Sequence, residues 1–119
     1  RSTPLYSSAA SDVYKRQAYV EFARALARRI YIEGGASTEE RLKFALRLTL
    51  AKPAEPSRLS AVGELFESEL AHYRQESAGA NTLFGETVPV PDGAAFPEMA
   101  AWTVVANVLL NLDALLMKG

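Results

Sequence analysis

The sequence predicts an all-α fold, a small bundle of about four helices. Three observations carry the prediction. Apolar residues recur at three- and four-residue steps over four long segments, which is the period of a helix and not of a strand. Capping and proline signals bracket those segments. No run of alternating polar and apolar residues marks a half-buried strand.

The first helix is read over residues 18–33. Tyr19, Phe22, Ala23, Leu26, Ala27 and Ile30 make its apolar stripe. Glu21, Arg24, Arg28 and Arg29 take the other side. Gly34-Gly35 stops it, because glycine enters left-handed backbone at little cost. A phosphate loop is the weaker reading of these glycines, for no strand precedes them and no Lys-Ser/Thr follows.

The second helix is read over residues 38–51. Ser37 and Glu40 have capping-box spacing, so each side chain can satisfy an orphan amide of the first turn. Leu42, Phe44, Ala45, Leu46, Leu48 and Leu50 spread over more than one face. A helix apolar nearly all round is buried, which makes this one the expected centre of the bundle. Pro53 ends it.

The third helix is read over residues 56–75, with Pro56 at a first position where its missing amide costs nothing. Leu59, Val62, Phe66, Leu70 and Tyr73 form its stripe. Glu64, Glu67 and Glu69 read as a solvated acidic face in preference to paired catalytic carboxylates, since no partnering pocket residues accompany them. His72 is the only histidine. A lone histidine near a helix C-terminus is stabilised as a cation by the helix dipole, and it leaves no material for a Ser–His–Asp triad or a multi-histidine metal site.

Residues 77–95 hold three glycines and two prolines and read as a long irregular connection, with an extended piece near 88–90. Loops of this length in a compact domain are functional or pinned to something else.

The fourth helix is read over residues 97–118. Met99, Trp102, Val105, Leu109, Leu112 and Leu116 form one stripe, and Val104, Val108 and Leu115 a second beside it. Three partner helices can cover one stripe, whereas two call for more protein. The expectation is that this is the closing helix of a longer helical domain and that the chain is a piece of a larger protein. Trp102 is expected to anchor the core, with a binding role as the alternative; its indole N–H needs an acceptor in either case. Asn107, Asn111 and Asp113 interrupt the apolar surface. Asn107 and Asn111 lie four residues apart on one edge, and a buried amide without partners costs about 1–3 kcal/mol. Either they bond loop backbone, that of residues 77–95 for instance, or they face a ligand or another domain. Trp102, Asn107, Asn111 and Asp113 are thus the structural or interface candidates. No residue qualifies as catalytic, cofactor-binding or metal-ligating.

Composition narrows the functional classes. Of 119 residues, 49% are apolar, which suits one globular domain and not a disordered chain. Thirteen basic and fourteen acidic residues give a net charge of −1. That is far from the basic footprint of a nucleic-acid binder. The absence of cysteine excludes disulfides, thiolate metal sites, a cysteine nucleophile and covalent haem attachment within this chain. The longest apolar run, residues 104–116, is too short and too polar to span a bilayer.

Residues 1–17 differ from the rest: a polar, serine-rich stretch with Pro4 and no sustained period. Asp12-Val13-Tyr14-Lys15-Arg16-Gln17 resembles the translation of a transposon end used in sequencing libraries (GAT GTG TAT AAG AGA CAG). The stretch from residue 8 to 17 resembles the peptide this leaves on metagenome-derived proteins. It is expected to be a disordered or non-native leader without function. Setting it aside removes Arg1, Lys15, Arg16 and Asp12 and leaves ten basic against thirteen acidic residues, a balance of −3.

Ala101-Trp102-Thr103-Val104-Val105-Ala106, followed by Leu109-Leu110-Asn111-Leu112-Asp113, resembles the C-terminal signature of planctomycete cytochrome-C-domain-containing proteins. Those proteins end in a helical domain of unknown function. Glu39-Glu40-Arg41, the run from Ala45 to Leu50, and residues 53–59 are similar to its upstream part, so the resemblance covers about residues 18–118. Ala114 and Leu115 stand where that pattern has Glu and Phe. The resemblance implies a haem-binding cytochrome-like domain and a second domain upstream in the same parent chain. It also implies export to the periplasm or cell surface. The partners implied are those upstream domains.

Three functions compete on this reading. One is a non-catalytic helical module that completes and packs on a larger protein. A second is an enzyme whose active site is shared with an upstream domain, lined here by Asn107, Asn111, Asp113 and residues 77–95. The third is a free-standing interaction module, a helix-turn-helix DNA binder included, against which the acidic balance and the lack of a basic recognition helix argue.

Overall fold

A computed structural model describes residues 9–50, 55–84 and 88–118, with side-chain surroundings from residue 21 to residue 111 of these. It is all-helical. Five helices follow one another: α1 (Ala9–Glu33), α2 (Thr38–Leu50), α3 (Pro56–Gln75), α4 (Ser77–Phe84) and α5 (Phe96–Lys118). The turn around Pro53 lies outside the described residues.

The helix boundaries follow local chemistry. Gly34 N–H donates to the Ile30 carbonyl at 2.9 Å as α1 ends, and Gly35 turns the chain at φ 118°. A side chain is strained there. At α2 the capping box is formed: Ser37 Oγ accepts from the Glu40 amide at 3.2 Å, and Glu40 Oε1 accepts from the amides of Ala36 and Ser37 at 2.9 and 3.3 Å. Pro56 opens α3 behind Glu55.

Three expectations need correcting. The first helix starts at Ala9, not at residue 18. Residues 9–17 contain Ala, Lys, Arg and Gln and no Gly or Pro, so nothing local stops a helix running through them. Next, residues 77–95 are not one irregular loop. Ser77–Phe84 is a helix, docked through Ala80 and Phe84, both fully buried. Helical dihedrals over a Ser-Ala-Gly-Ala-Asn-Thr stretch are weakly favoured locally; burial of the i,i+4 pair supplies the missing stability.

The third correction concerns the centre. It is α5 that packs against each of the other four helices, while α2 touches α1, α3 and α5. On α5, Met99, Ala100, Ala101, Trp102, Val105, Ala106 and Leu109 are all fully buried. Ala100, Ala101 and Ala106 leave room for backbones to approach from several sides, and the larger residues fill the space between. On α2 only Leu42, Ala45 and Leu46 are buried, and Phe44, Leu48 and Leu50 are half-covered.

The core is continuous. Ala23, Ala27 and Ile30 of α1 meet α5 from one side, and Val62, Phe66 and Leu70 of α3 from another. Phe66 and Trp102 pack with ring centroids 4.2 Å apart, and Phe84 meets Phe96 edge-on at 6.2 Å. The α1 stripe divides on folding, since Phe22 points outward. Among the described residues every buried side-chain polar atom has a partner. No helix among them is long and apolar enough to cross a membrane.

Candidate functional site

Trp102 is fully buried and donates from Nε1 to Glu98 Oε2 at 3.3 Å, one turn back on α5. Thr103 beside it is the one buried polar residue among those described, and its hydroxyl donates to the Met99 carbonyl at 2.7 Å. Trp102 therefore faces no solvent.

The asparagines lie elsewhere on the helix. Asn107 is half-buried and Asn111 exposed. With Val104, Val108 and Leu110, all half-buried, they fall on roughly one half of the α5 circumference. The second stripe of α5, as far as Val108, thus lies on its less covered side. The side chains of Asp113 and Leu115 are outside the described residues. Neither asparagine side chain makes a hydrogen bond among the described residues.

Leu110 joins this side of α5 to a shallow groove shared with α1 and α2. Phe22, Ala25 and Leu26 of α1 and Leu48 and Thr49 of α2 form the rest of it, with Arg29 at the margin, around about 370 Å³. Phe22 is 62% exposed, the most exposed large apolar residue among those described. Arg29 is paired along its own helix with Glu33 at 3.2 Å. The groove is lined mostly by apolar side chains, with Thr49 and Arg29 as its polar members. An interface core with a polar rim has this arrangement.

The end of α4 and the segment at Pro89 are held by α1 and not by the α5 asparagines. Arg24, with its side chain only 15% exposed, donates from Nε to the Leu83 carbonyl at 2.7 Å and from Nη2 to the Thr82 carbonyl at 3.2 Å. Its Nη1 pairs with Glu21 at 3.0 Å. One turn on, Arg28 Nε donates to the Pro89 carbonyl at 2.9 Å. Two arginines assigned by periodicity to a solvent face thus hold Thr82, Leu83 and Pro89.

These contacts shape a second groove of about 660 Å³, lined by Arg28, Tyr31 and Ile32 of α1, Gly35, Arg41 of α2 and residues 89–92. The Arg41 guanidinium lies 4.0 Å from the centre of the Tyr31 ring and donates from Nε to the Tyr31 carbonyl at 3.1 Å. Its Nη1 lies 3.7 Å from Glu98. That distance is long for a charge-assisted hydrogen bond. Sequence reasoning missed this groove because it needs the return of residues 88–92 across α1, which no local pattern encodes. The i,i+4 spacing of Arg24 and Arg28 was the available signal. Neither groove is lined by the α5 asparagines.

Glu40 is held below its ordinary carboxylate value by the amide of Ala36 first and that of Ser37 next, which is the signature of a helix cap. Burial, then Glu69 and Glu76, push the Tyr73 phenol up. His72 is exposed on the last turn of α3, its ring edge-on to Tyr73 at 4.7 Å. Among the described residues no three His, Cys, Asp or Glu side chains converge to hold a metal ion. The chain has no cysteine, and its single histidine sits on an open helix face.

No family model, curated protein or solved structure matches the chain.

Proposed function

We propose that the domain is a non-catalytic helical module of a larger exported bacterial protein, packed against an upstream domain of its parent chain. The upstream part carries the haem in this reading. The exposed apolar groove around Phe22 and Leu110 carries the proposal. Burying a phenylalanine side chain is worth about 1.5–3 kcal/mol, and α5 offers Val104, Val108 and Leu110 beside it. The motif running from Trp102 to Asp113 supports the choice of parent.

The test uses the parent chain, with Phe22→Ser and Leu110→Ser introduced separately. Hydrogen exchange over α1 and α5 is compared with that of the 119-residue chain alone. Protection of both helices in the parent is expected, and each substitution should abolish it. Equal exchange in the parent and in the isolated chain would sink the reading. So would a gene whose upstream frame encodes no haem-attachment Cys-x-x-Cys-His, as far as the parent's identity is concerned.

A further inference from the structure

The geometry points to the groove between α1, α2 and residues 88–92 as a binding site for a small organic carboxylate, with Arg28 as the group that receives the anion.

Arg28 is the observation that carries this. Of the described arginines on α1, Arg24 pairs with Glu21 and Arg29 with Glu33. Arg28 is half-buried, and among the described residues no carboxylate lies within ion-pair distance of it. An incoming anion supplies the counter-ion that this half-buried cation lacks among the described residues. Arg28 is also fixed in place. Its Nε is engaged by the Pro89 carbonyl at 2.9 Å, and Nη1 and Nη2 make no hydrogen bond among the described residues. Those two nitrogens form a planar fork, and the two oxygens of one carboxylate match it. Because the guanidinium is already oriented, little rotamer freedom is lost when the anion arrives.

The remaining walls set the rest of the ligand. Ile32, Val90, Pro91 and the Tyr31 ring offer apolar surface in the same groove. Arg41 is held by Tyr31 on the opposite side and adds a second positive charge, partly offset by Glu98. Asp92 is the only acidic residue in the lining. It disfavours polyanions and leaves room for a single negative charge. The ligand class is therefore a monocarboxylate on a compact apolar or aromatic body. The site lies apart from the groove around Phe22 and does not depend on the docking role proposed above.

The experiment titrates benzoate, benzamide and inorganic phosphate into the isotopically labelled 119-residue chain, following amide resonances of residues 28–41 and 88–94. Benzoate is expected to bind with Kd of about 1–10 mM, since one charge-assisted fork on an open surface supports no more. Benzamide, which is isosteric and neutral, should bind at least about tenfold more weakly. Phosphate should also be weaker than benzoate. Arg28→Gln is expected to weaken benzoate about tenfold. Since it also loses the Pro89 contact, two further variants separate charge from folding. Arg28→Lys keeps the charge and loses the fork, and should still weaken binding. Asp92→Asn removes the competing charge and should tighten binding about threefold. Equal binding of benzamide and benzoate would overturn the assignment of Arg28 as anion receptor. Tighter binding of phosphate would overturn the carboxylate. No shifts with any probe, or benzoate binding untouched by all three substitutions, would overturn the site itself.

Discussion

Trp102 shows how much a single residue can settle. It is fully covered, stacks on Phe66 at 4.2 Å and has its indole N–H answered by Glu98. Truncating it removes a large apolar surface at the point where α3 meets α5. Trp102→Ala should therefore cost about 3–5 kcal/mol, read from a denaturant unfolding curve. A loss under about 1 kcal/mol would contradict the packing described. Glu40 makes a different kind of contribution, since it is exposed and acts only through the cap. Its folded pKa is lowered, so its charge stabilises the fold fully above the unfolded carboxylate pKa. That contribution is lost as pH falls through the lowered value. Glu40→Gln keeps an acceptor oxygen and loses the charge. The variant should be less stable than the parent sequence at pH 7, and the gap should close as pH falls below the ordinary carboxylate range. A gap that stays constant down to acid pH would rule out the charged cap. Both Trp102 and the Ser37–Glu40 pair were legible in the sequence, because each depends on chemistry within four residues along the chain.

At the scale of elements, sequence periodicity identified four helices but misjudged their neighbours. Leu42, Phe44, Leu46 and Leu48 made α2 look central. The structure shows instead that partial cover on several faces suffices for it. What periodicity did not register on α5 was the placing of Ala100, Ala101 and Ala106, whose small side chains let other helices approach closely. The short α4 was illegible for a related reason. Its stability comes from Phe84 meeting Phe96, a contact that exists only once α5 is in place. Arg24 fastens the end of this helix by donating to the Leu83 and Thr82 carbonyls while it also pairs with Glu21 on its own helix. Arg24→Ala should remove one part-buried and one exposed bond to backbone, at about 1–2 kcal/mol in all. It should also raise amide exchange across residues 80–84 while leaving α3 unchanged. Exchange that rises equally everywhere would mean global loosening and not a released anchor.

For the whole molecule, the consequence of a five-helix arrangement around α5 is that tolerance to substitution is sharply uneven. Ala106 is fully buried on the central helix, while Ala61 on α3 is exposed. Enlarging the first by Ala106→Leu forces neighbouring helices apart and should cost about 1–3 kcal/mol or more. The same change at Ala61 should fall within about 0.5 kcal/mol of neutral. Thermal melts of the two variants side by side check this, and comparable losses would contradict the central placing of α5. The candidate grooves were the least legible part of the molecule. Each is built from residues of helices distant in sequence, and Arg28 meets Pro89 across a separation no period can report.

That α5 is the last of the five helices also sets a schedule for synthesis. α1 has left the ribosome long before Phe96 is added. At ordinary elongation rates the interval to the end of α5 is roughly ten seconds. Through that time Ile30, Leu46 and Phe66, all destined for burial, have no central helix to close on. Until α5 arrives, the apolar faces of the first three helices therefore stay open to contact with other apolar surface.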